Sequence, residues 1–241
     1  MTTLTGNGWW PRKRVRASLL LVLASVLVGP ACRAAQDSGA ARDQWQHPQE
    51  VMDALGIRAG TAVADVGCGS GYFTFKLAAR VGPQGEVYAE DIDEKEVAGI
   101  RRRAEAEGVT QVRSIVGAAD DPGLPAASLD AILVVNSYHE WREYAKMLQH
   151  LSGALKPGGL LAIIDGVAEA GKPRAEYYSR HRMPEEIVRE DAAREGFRFL
   201  RKEPGFLRPD QKKDFYFLIF EKPQLHSLLK PKYRGILNTR A

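Results

Sequence analysis

The sequence predicts an α/β protein with a doubly wound, seven-stranded, mostly parallel sheet and an antiparallel last strand. Between residues 61 and 165, segments with the pattern of strands alternate with segments with the pattern of helices, as in βαβ units. Leu129–Val135 is a near-continuous apolar run, which is typical of a central strand covered on both faces. A glycine-rich turn follows the first strand, and right-handed crossovers place ligands outside the carboxyl ends of such strands.

The apolar patterns and the turn residues set the bounds of each predicted element. We predict strands over Thr61–Val66, Glu86–Glu90, Val112–Val116, Leu129–Val135, Leu160–Asp165, Phe197–Arg201 and Phe215–Glu221. We predict helices from Pro48 to Leu55 and over Tyr72–Arg80, Glu94–Glu107, Trp141–Leu155 and Pro184–Glu195. Gly108 and Gly196 follow two of these helices as C-caps, and Lys156-Pro157-Gly158-Gly159 stops the fourth.

Composition favours one globular domain and gives no sign of a nucleic-acid partner. The chain has 241 residues, of which 44% are hydrophobic, and a formal net charge of +4. Residues 1–31 hold no acidic residue but four basic ones, Arg12, Lys13, Arg14 and Arg16. Of 34 basic residues, 30 remain against 30 acidic ones, without the excess that releases counterions from nucleic acid. Two cysteines, Cys32 and Cys68, supply no disulfide framework or zinc ligand set, and we predict no metal site.

Residues 1–35 have the pattern of a signal peptide or a membrane anchor. A basic cluster precedes an aliphatic run from Ala17 to Gly29, and small residues follow. The run is shorter than the roughly 20 residues of a transmembrane helix. Cleavage after Ala34 and lipid modification of Cys32 are both open. We expect an exported (periplasmic) or membrane-associated protein, and the alternative is a cytoplasmic protein whose start is misassigned.

Three further segments complete the domain organisation. Residues 36–44 are polar and rich in alanine, and we interpret them as a linker. The predicted folded domain spans residues 45–222. Residues 223–241 form a basic C-terminal tail.

The glycine-rich turn reads Val63-Ala-Asp-Val-Gly-Cys-Gly-Ser-Gly-Tyr-Phe73. Gly67 allows a tight turn, and Gly69 and Gly71 remove side chains where a ligand meets the backbone. A dinucleotide site needs the spacing G-x-G-x-x-G, and here the third glycine comes one residue too early. This spacing disfavours a nicotinamide-dependent oxidoreductase. Asp65 ends the preceding strand and supplies a carboxylate beside the turn.

This motif resembles motif I of the class I S-adenosylmethionine-dependent methyltransferases, which have a Rossmann-like fold. Two later segments match motifs of the same family, Ser128–Asn136 at strand four and Lys156–Leu160 before strand five. The resemblance runs from about Trp45 to Lys222 and is nearest to the branch of the methyltransferase type 11 and quinone C-methyltransferases. It implies S-adenosyl-L-methionine as cofactor and methyl transfer as activity.

The resemblance also implies which residues hold the cofactor. Asp65 suits the cationic methionine part. Asp91, twenty residues beyond Gly71, suits the ribose hydroxyls, with Glu90 as the alternate and Ile92 against adenine. Asp120 is expected to accept from the adenine amino group, with Ala119 or Asp121 adjacent. The full predicted cofactor set is Asp65, Gly67, Cys68, Gly69, Gly71, Tyr72, Asp91, Ile92, Ala119, Asp120 and Asn136.

Methyl transfer from a sulfonium mainly requires alignment of donor and acceptor, and a general base contributes when the acceptor carries a proton. His139, just after strand four, is the candidate base, and the alternative is that it caps the next helix. Tyr138 and Trp141 either wall off water or face the sulfonium as cation–π partners, and the alternative is that they only pack. The loop 166–183 is either the acceptor wall or a solvated basic lid.

Two hypotheses about function follow. The first is an enzyme that methylates a small molecule, and the second is an exported protein that binds the cofactor without turnover. An N-P-P-Y or D-P-P-Y tetrapeptide is absent, which disfavours methylation of DNA adenine. Association with a membrane through the N-terminus is a further expectation.

Overall fold

The computed structural model describes residue 39 and residues 41–208 and 213–224. The chain divides after Asp37, so all described residues belong to the unit Ser38–Ala241. The predicted signal or anchor, residues 1–35, lies outside the described residues, as does the predicted tail beyond residue 224. None of the helices in the described ranges has the length and apolarity needed to cross a membrane.

The fold is built on a seven-stranded sheet with the order β3-β2-β1-β4-β5-β7-β6. Strands β1 to β5 run parallel, and β7 runs antiparallel to both β5 and β6. The strands are β1 Ala62–Val66, β2 Glu86–Asp91, β3 Val112–Val116, β4 Leu129–Val135, β5 Leu155–Gly166, β6 Arg198–Arg208 and β7 Lys213–Glu221. This arrangement confirms the predicted fold class, including the antiparallel last strand.

Helices cover both faces of the sheet. They are α1 Pro48–Ala54, α2 Tyr72–Val81, α3 Glu94–Glu107, α4 Tyr144–Ala154, α5 Arg174–Tyr178 and α6 Glu185–Arg194, with a 3₁₀ turn over Tyr138–Glu140. One apolar cluster packs α4 and α6 on the sheet, and the other packs α1 and α2. Because β4 contributes alternate residues to both clusters, its continuous apolar run is explained. Gly108 ends α3 in the left-handed conformation, with a φ of 66°, as predicted for a C-cap.

The strand register brings the carboxyl ends of β1, β2 and β4 to one edge. Val66 lies beside Glu90 of β2 and Val134 of β4. Parallel strands in register end together, so the loops that follow them meet at that edge. The order of the strands reverses between β1 and β4, which makes this edge the switch point of the sheet.

Two predicted boundaries differ from the structure around strand five. The helix predicted from Trp141 begins at Tyr144, after the 3₁₀ turn. The strand predicted from Leu160 begins at Leu155. Gly158 donates to the carbonyl of Lys222 at 2.8 Å, and Lys222 donates to the carbonyl of Gly159 at 2.9 Å. These bonds pair the Gly-Gly segment with the chain after β7, so the strand continues through an irregularity in which Gly158 has a φ of 84°.

Residues 41–46, part of which the sequence predicts as a linker, are helical. The hydroxyl of Tyr72 donates to Asp43 at 2.5 Å, and the ammonium group of Lys76 donates to the same carboxylate. Both partners lie on α2. The helical segment is therefore held against the start of α2, beside the glycine-rich turn.

Candidate functional site

A cavity of about 450 Å³ opens at the carboxyl ends of β1, β2 and β4. Its position at the switch point of the sheet is where α/β proteins bind ligands. The lining consists of Arg42, Asp65, Gly67, Cys68, Gly69, Ser70, Tyr72, Phe73, Glu90, Asp91, Ile92, Ala118, Ala119, Val135, Asn136, Ser137, Glu140, Trp141, Arg142 and Met147.

The glycine-rich turn forms one wall of this cavity, and its glycines have different roles. Gly67 has a φ of 69°, and a Cβ there would lie 2.1 Å from Oγ of Ser137. Gly69 has a φ of 52° and open space around it. Gly71 precedes α2 with a φ of 80° and packs against Phe75 and Ile100. Of the three predicted glycines, Gly71 does not line the cavity, because it lies at the start of α2 and packs against neighbouring side chains.

Three carboxyl groups meet at the floor of the cavity. Asp65 accepts from the hydroxyl of Thr74 at 2.7 Å. Glu90 accepts from the amide of Gly67 at 3.3 Å, and Asp91 accepts from the amide of Gly69 at 2.8 Å. The two acids of β2 thus hold the glycine-rich turn of β1 by its backbone. All three line the cavity, and Glu90, the alternate in the sequence prediction, belongs to the floor as much as Asp91 does.

Burial raises the pKa of two of these acids, Asp65 and Glu90. Desolvation raises the pKa of Asp65 to about 6 and outweighs the hydrogen bond from Thr74. Desolvation also raises the pKa of Glu90 to about 7, and the charges of Asp91, Asp65 and Asp121 add to it. The same surroundings raise the pKa of the Cys68 thiol. A cationic ligand in the cavity would favour the ionised carboxylates.

The predicted adenine end divides between the cavity and the surface. Ile92 is 62% exposed and lines the cavity with Ala118 and Ala119. Asp120 is not among the lining residues and pairs instead with Lys146 at 3.1 Å. Ala119 is thus the predicted residue of this turn that faces the cavity.

Asn136 and Trp141 form the rim after β4. Asn136 has a φ of 55°, which is uncommon for a residue other than glycine, and its amide donates to the carbonyl of Ile164 at 2.7 Å. Such local strain is typical of functional sites. The Trp141 ring is only 8% exposed and packs on Tyr138 with centroids 5.0 Å apart. Trp141 therefore packs on Tyr138 and also lines the cavity.

His139, the candidate base, lies behind this rim. It is fully buried and is not among the lining residues. Its Nδ1 lies 2.9 Å from Oδ1 of Asp165, and its amide donates to the same carboxylate at 2.9 Å. The ring is therefore directed by β5, and Nε2 is turned towards Glu140 and His181.

Several lining residues escape prediction from the sequence. Arg42 comes from the segment expected to be a linker, and its guanidinium lies 3.9 Å from the ring centroid of Tyr72. Glu140, Arg142 and Met147 come from the 3₁₀ turn and the residues after it. In the sequence, the segment Asn136–Trp141 is what indicates that this part of the chain lines the site. Nothing local to Arg42 indicated its position, since a tertiary contact of Asp43 places it.

The side chains of the loop 166–183 pack against neighbouring elements and do not line the cavity. Arg174 donates to Asp191 at 2.6 Å and lies 3.5 Å from the ring centroid of Tyr144. Tyr177 is 2% exposed. Tyr178 is covered by Arg142, with 3.6 Å between guanidinium carbon and ring centroid. The described cavity is not lined by the candidate basic and aromatic residues of this loop, which are Arg174, Tyr177, Tyr178, Arg180, His181 and Arg182.

Comparison with known proteins matches this site to a family. Residues 63–159 match a family described as a methyltransferase domain. The chain is 32% identical over 166 residues to a ubiquinone/menaquinone biosynthesis C-methyltransferase of Yersinia pestis, covering 66% of this chain and 65% of that protein. It is 28% identical over 122 residues to a demethylmenaquinone methyltransferase of Geobacillus stearothermophilus, covering 51% of each. The chain thus spans between about half and two thirds of these curated relatives.

A solved structure supports the same fold. A S-adenosylmethionine-dependent methyltransferase from Aquifex aeolicus superposes with a TM-score of 0.64 at 24% identity, covering 80% of this chain and 98% of that one. The glycine-rich turn and the acids at the ends of β1 and β2 lie within the matched residues 63–159. Residues 63–159 of this chain therefore match a methyltransferase domain, and the chain is similar in sequence to quinone C-methyltransferases.

Proposed function

We propose that this protein binds S-adenosylmethionine in the cavity at the ends of β1, β2 and β4 and transfers its methyl group to a small-molecule acceptor. The observation that carries the proposal is the convergence of Asp65, Asp91 and the glycine-rich turn on one cavity. The cofactor has a ribose with two hydroxyls, an adenine ring and a cationic methionine part. Each has a chemically suited partner among the lining residues.

The ribose and adenine fit the β2 side. Asp91 accepts hydrogen bonds from the ribose hydroxyls, because it ends β2 and already faces the cavity. Ile92, largely exposed without a ligand, covers one face of adenine. Ala119 approaches the adenine edge with its backbone. Apolar contact on a planar ring and a few well-placed polar groups are the usual make-up of such sites.

The methionine part fits the β1 side. Asp65 balances the ammonium group, and Arg42 faces the carboxylate. Arg42 lies close enough to lower the pKa of Asp65 by its charge, so the two oppositely charged groups share this end of the cavity. Gly67, Cys68 and Gly69 present backbone to the ligand, and Tyr72 and Asn136 close the sides.

The reaction is an in-line displacement. A lone pair of the acceptor forms a bond to the methyl carbon, the carbon–sulfur bond breaks, and its electron pair returns to sulfur to give S-adenosylhomocysteine. The protein's task is to align the two reactants and to exclude water. Glu140, Trp141 and Arg142 line the cavity beyond the glycine-rich turn, and there we place the acceptor. A proton on the acceptor, where present, leaves to a base or to water.

Calorimetric titration of the full chain with S-adenosylmethionine tests the cofactor site. We expect 1:1 binding, weakened about 10- to 100-fold in Asp91→Ala, because a charged hydrogen-bond acceptor contributes roughly 1.5–3 kcal/mol. Glu105→Ala is the matched control, since it removes an exposed acid on α3. Absence of binding by the folded wild-type protein would refute the proposal.

Transfer of a labelled methyl group tests turnover. The protein is incubated with methyl-labelled S-adenosylmethionine and a cell extract separated into small-molecule and macromolecular fractions. Label in a small molecule supports the proposal. Label in protein or nucleic acid refutes the acceptor class. Binding without any transfer would leave the function of a binding protein.

A further inference from the structure

Three side chains with metal-binding atoms converge behind the rim of the cavity. Nε2 of His139 lies 3.3 Å from Nδ1 of His181 and 3.7 Å from Oε1 of Glu140. Nδ1 of His181 lies 4.0 Å from the same carboxylate oxygen. The three atoms thus form a small triangle, and each belongs to a group that can act as a metal ligand.

Asp165 fixes the direction of His139. Its carboxylate lies 2.9 Å and 3.1 Å from Nδ1 of the ring. Because a carboxylate only accepts, Nδ1 carries the proton and Nε2 presents its lone pair to the triangle. A histidine that ligates a metal usually donates its other ring nitrogen to a carboxylate in this way. Asp165 is fully buried and also accepts from the amide of Gly166, so the arrangement is rigid.

His181 is held in place by its backbone. Its φ is 50°, a left-handed conformation that costs free energy for a residue other than glycine. Its ring stands edge-on to that of His139, with an interplanar angle of 88° and centroids 5.3 Å apart. The preceding residues of α5 are anchored by the buried Tyr177. The second nitrogen ligand is therefore presented from a separate element than the first.

We propose that His139, Glu140 and His181 bind a divalent transition-metal ion, with Asp165 orienting His139. Ligand atoms about 2.1 Å from a tetrahedral ion are about 3.4 Å apart, within the observed range of 3.3–4.0 Å. A hydrogen bond between the two imidazoles accounts for one edge of the triangle, and the approach of Glu140 to both rings adds a carboxylate oxygen as a third ligand atom. Two histidines and one carboxylate suit Zn²⁺ or a similar ion, whereas Ca²⁺ and Mg²⁺ prefer oxygen ligands.

The position of the site connects it to the cavity. Glu140 is both a proposed ligand and a lining residue. Three protein ligands leave a fourth position on a tetrahedral ion, as in catalytic zinc sites. If the proposed function holds, an oxygen atom of the acceptor takes that position, and the ion orients the acceptor.

Titration with Zn²⁺ alone tests the site, independently of cofactor binding and methyl transfer. The full chain competes with a chromophoric chelator for Zn²⁺, and the stoichiometry and affinity are measured. We expect one tight site per chain, weakened at least about tenfold in His181→Ala and in Glu140→Gln. Both side chains are exposed, so their replacement leaves the fold intact. His150→Ala is the control, because this exposed histidine pairs with Asp121 away from the triangle.

Co²⁺ provides a second readout that surface binding would not give. An ion held by two histidines and a carboxylate in a four-coordinate site has a visible absorption band, which is lost in His181→Ala and kept in His150→Ala. Equal Zn²⁺ affinity in wild type and His181→Ala would overturn the proposal. So would the lack of any 1:1 binding by the wild-type protein, which would leave a hydrogen bond between the histidines only.

Discussion

At the scale of single residues, the burial of Glu90 on the floor of the cavity makes the stability of the fold depend on pH. Glu90 is only 3% exposed, and its pKa is raised to about 7 from an ordinary value of 4.5. The folded state therefore holds a proton that the unfolded state releases at lower pH. The stabilisation is complete below about pH 4.5 and is lost as the pH rises through about 7. Its total is roughly 3 kcal/mol at 1.36 kcal/mol per pKa unit.

The ligand-free protein is therefore expected to lose stability between about pH 4.5 and pH 7, and Glu90→Gln should flatten this decline by about 3 kcal/mol. The groups that face Glu90 are the acids Asp65, Asp91 and Asp121, which oppose its ionisation, and the amide of Gly67, which favours it. Denaturant unfolding at each pH gives the measurement, with Glu105→Gln as the exposed control. Parallel pH profiles for wild type and Glu90→Gln would contradict this assignment.

The first two glycines of the turn are distinguishable by substitution. Both need the left-handed region, which costs an alanine about 1–2 kcal/mol. Gly69→Ala should lower the free energy of unfolding only by this amount, because its surroundings are open. In Gly67→Ala the new Cβ also clashes with Ser137, which should cost about 1–3 kcal/mol more. Unfolding of both variants, and of Gly67→Ala in a Ser137→Gly background, measures the difference. If Ser137→Gly restores nothing, the contact with Ser137 does not limit position 67.

At the scale of elements, one buried carboxylate joins three segments. Asp191 on α6 accepts from Arg174 on α5 at 2.6 Å and from the hydroxyl of Tyr138 in the 3₁₀ turn at 2.9 Å. Arg194, on its own helix, approaches at 3.2 Å. Asp191 is 2% exposed. Removing one partner of a buried ion pair leaves the other charge uncompensated.

Asp191→Ala should accordingly lower the free energy of unfolding by about 3 kcal/mol. Arg194→Ala removes the exposed partner, 63% of whose side chain is in solvent, and should cost less than about 1 kcal/mol. Thermal and denaturant unfolding of the two variants provide the comparison. Equal effects would mean that the contact with Arg174 contributes no more than a surface pair does.

At the scale of the whole molecule, the segment 41–46 completes a cavity that the sheet only begins. Its Asp43 binds α2, and its Arg42 lines the cavity. A segment that precedes the predicted motifs along the chain thus supplies a cationic group to the end of the cavity where we place the methionine part of the cofactor. The parallel strands provide the floor of the cavity, and the helical segment 41–46 provides the wall that contains Arg42.

Arg42→Met should weaken S-adenosylmethionine and S-adenosylhomocysteine about tenfold alike, because both carry the carboxylate that Arg42 is proposed to face. Lys76→Met is the matched control, since Lys76 also contacts Asp43 and Tyr72 but does not line the cavity. Calorimetric titration with each ligand gives the ratio. A loss confined to S-adenosylmethionine would place Arg42 near the sulfonium group instead.

Much of the fold followed from local patterns. Strand and helix periods, the apolar run of β4 and the glycine turn are set by which residues can be buried and which backbone conformations they allow. The acids at the ends of β1 and β2 were also readable, because parallel strands end at a common edge. The resemblance to the methyltransferase family adds the expected cofactor roles of Asp65, Asp91 and Ile92, and all three residues line the cavity.

Local sequence patterns therefore predict the sheet, its main helices and the part of the site that directly follows β1 and β2. Contacts between distant segments bring Arg42 to the cavity, make Gly158 and Gly159 part of a strand, and place His139 beside His181, forty-two residues further along the chain. The physical reason is the range of the interactions. Burial and backbone preference act within an element, whereas these contacts join segments whose separation along the chain leaves no periodic signal.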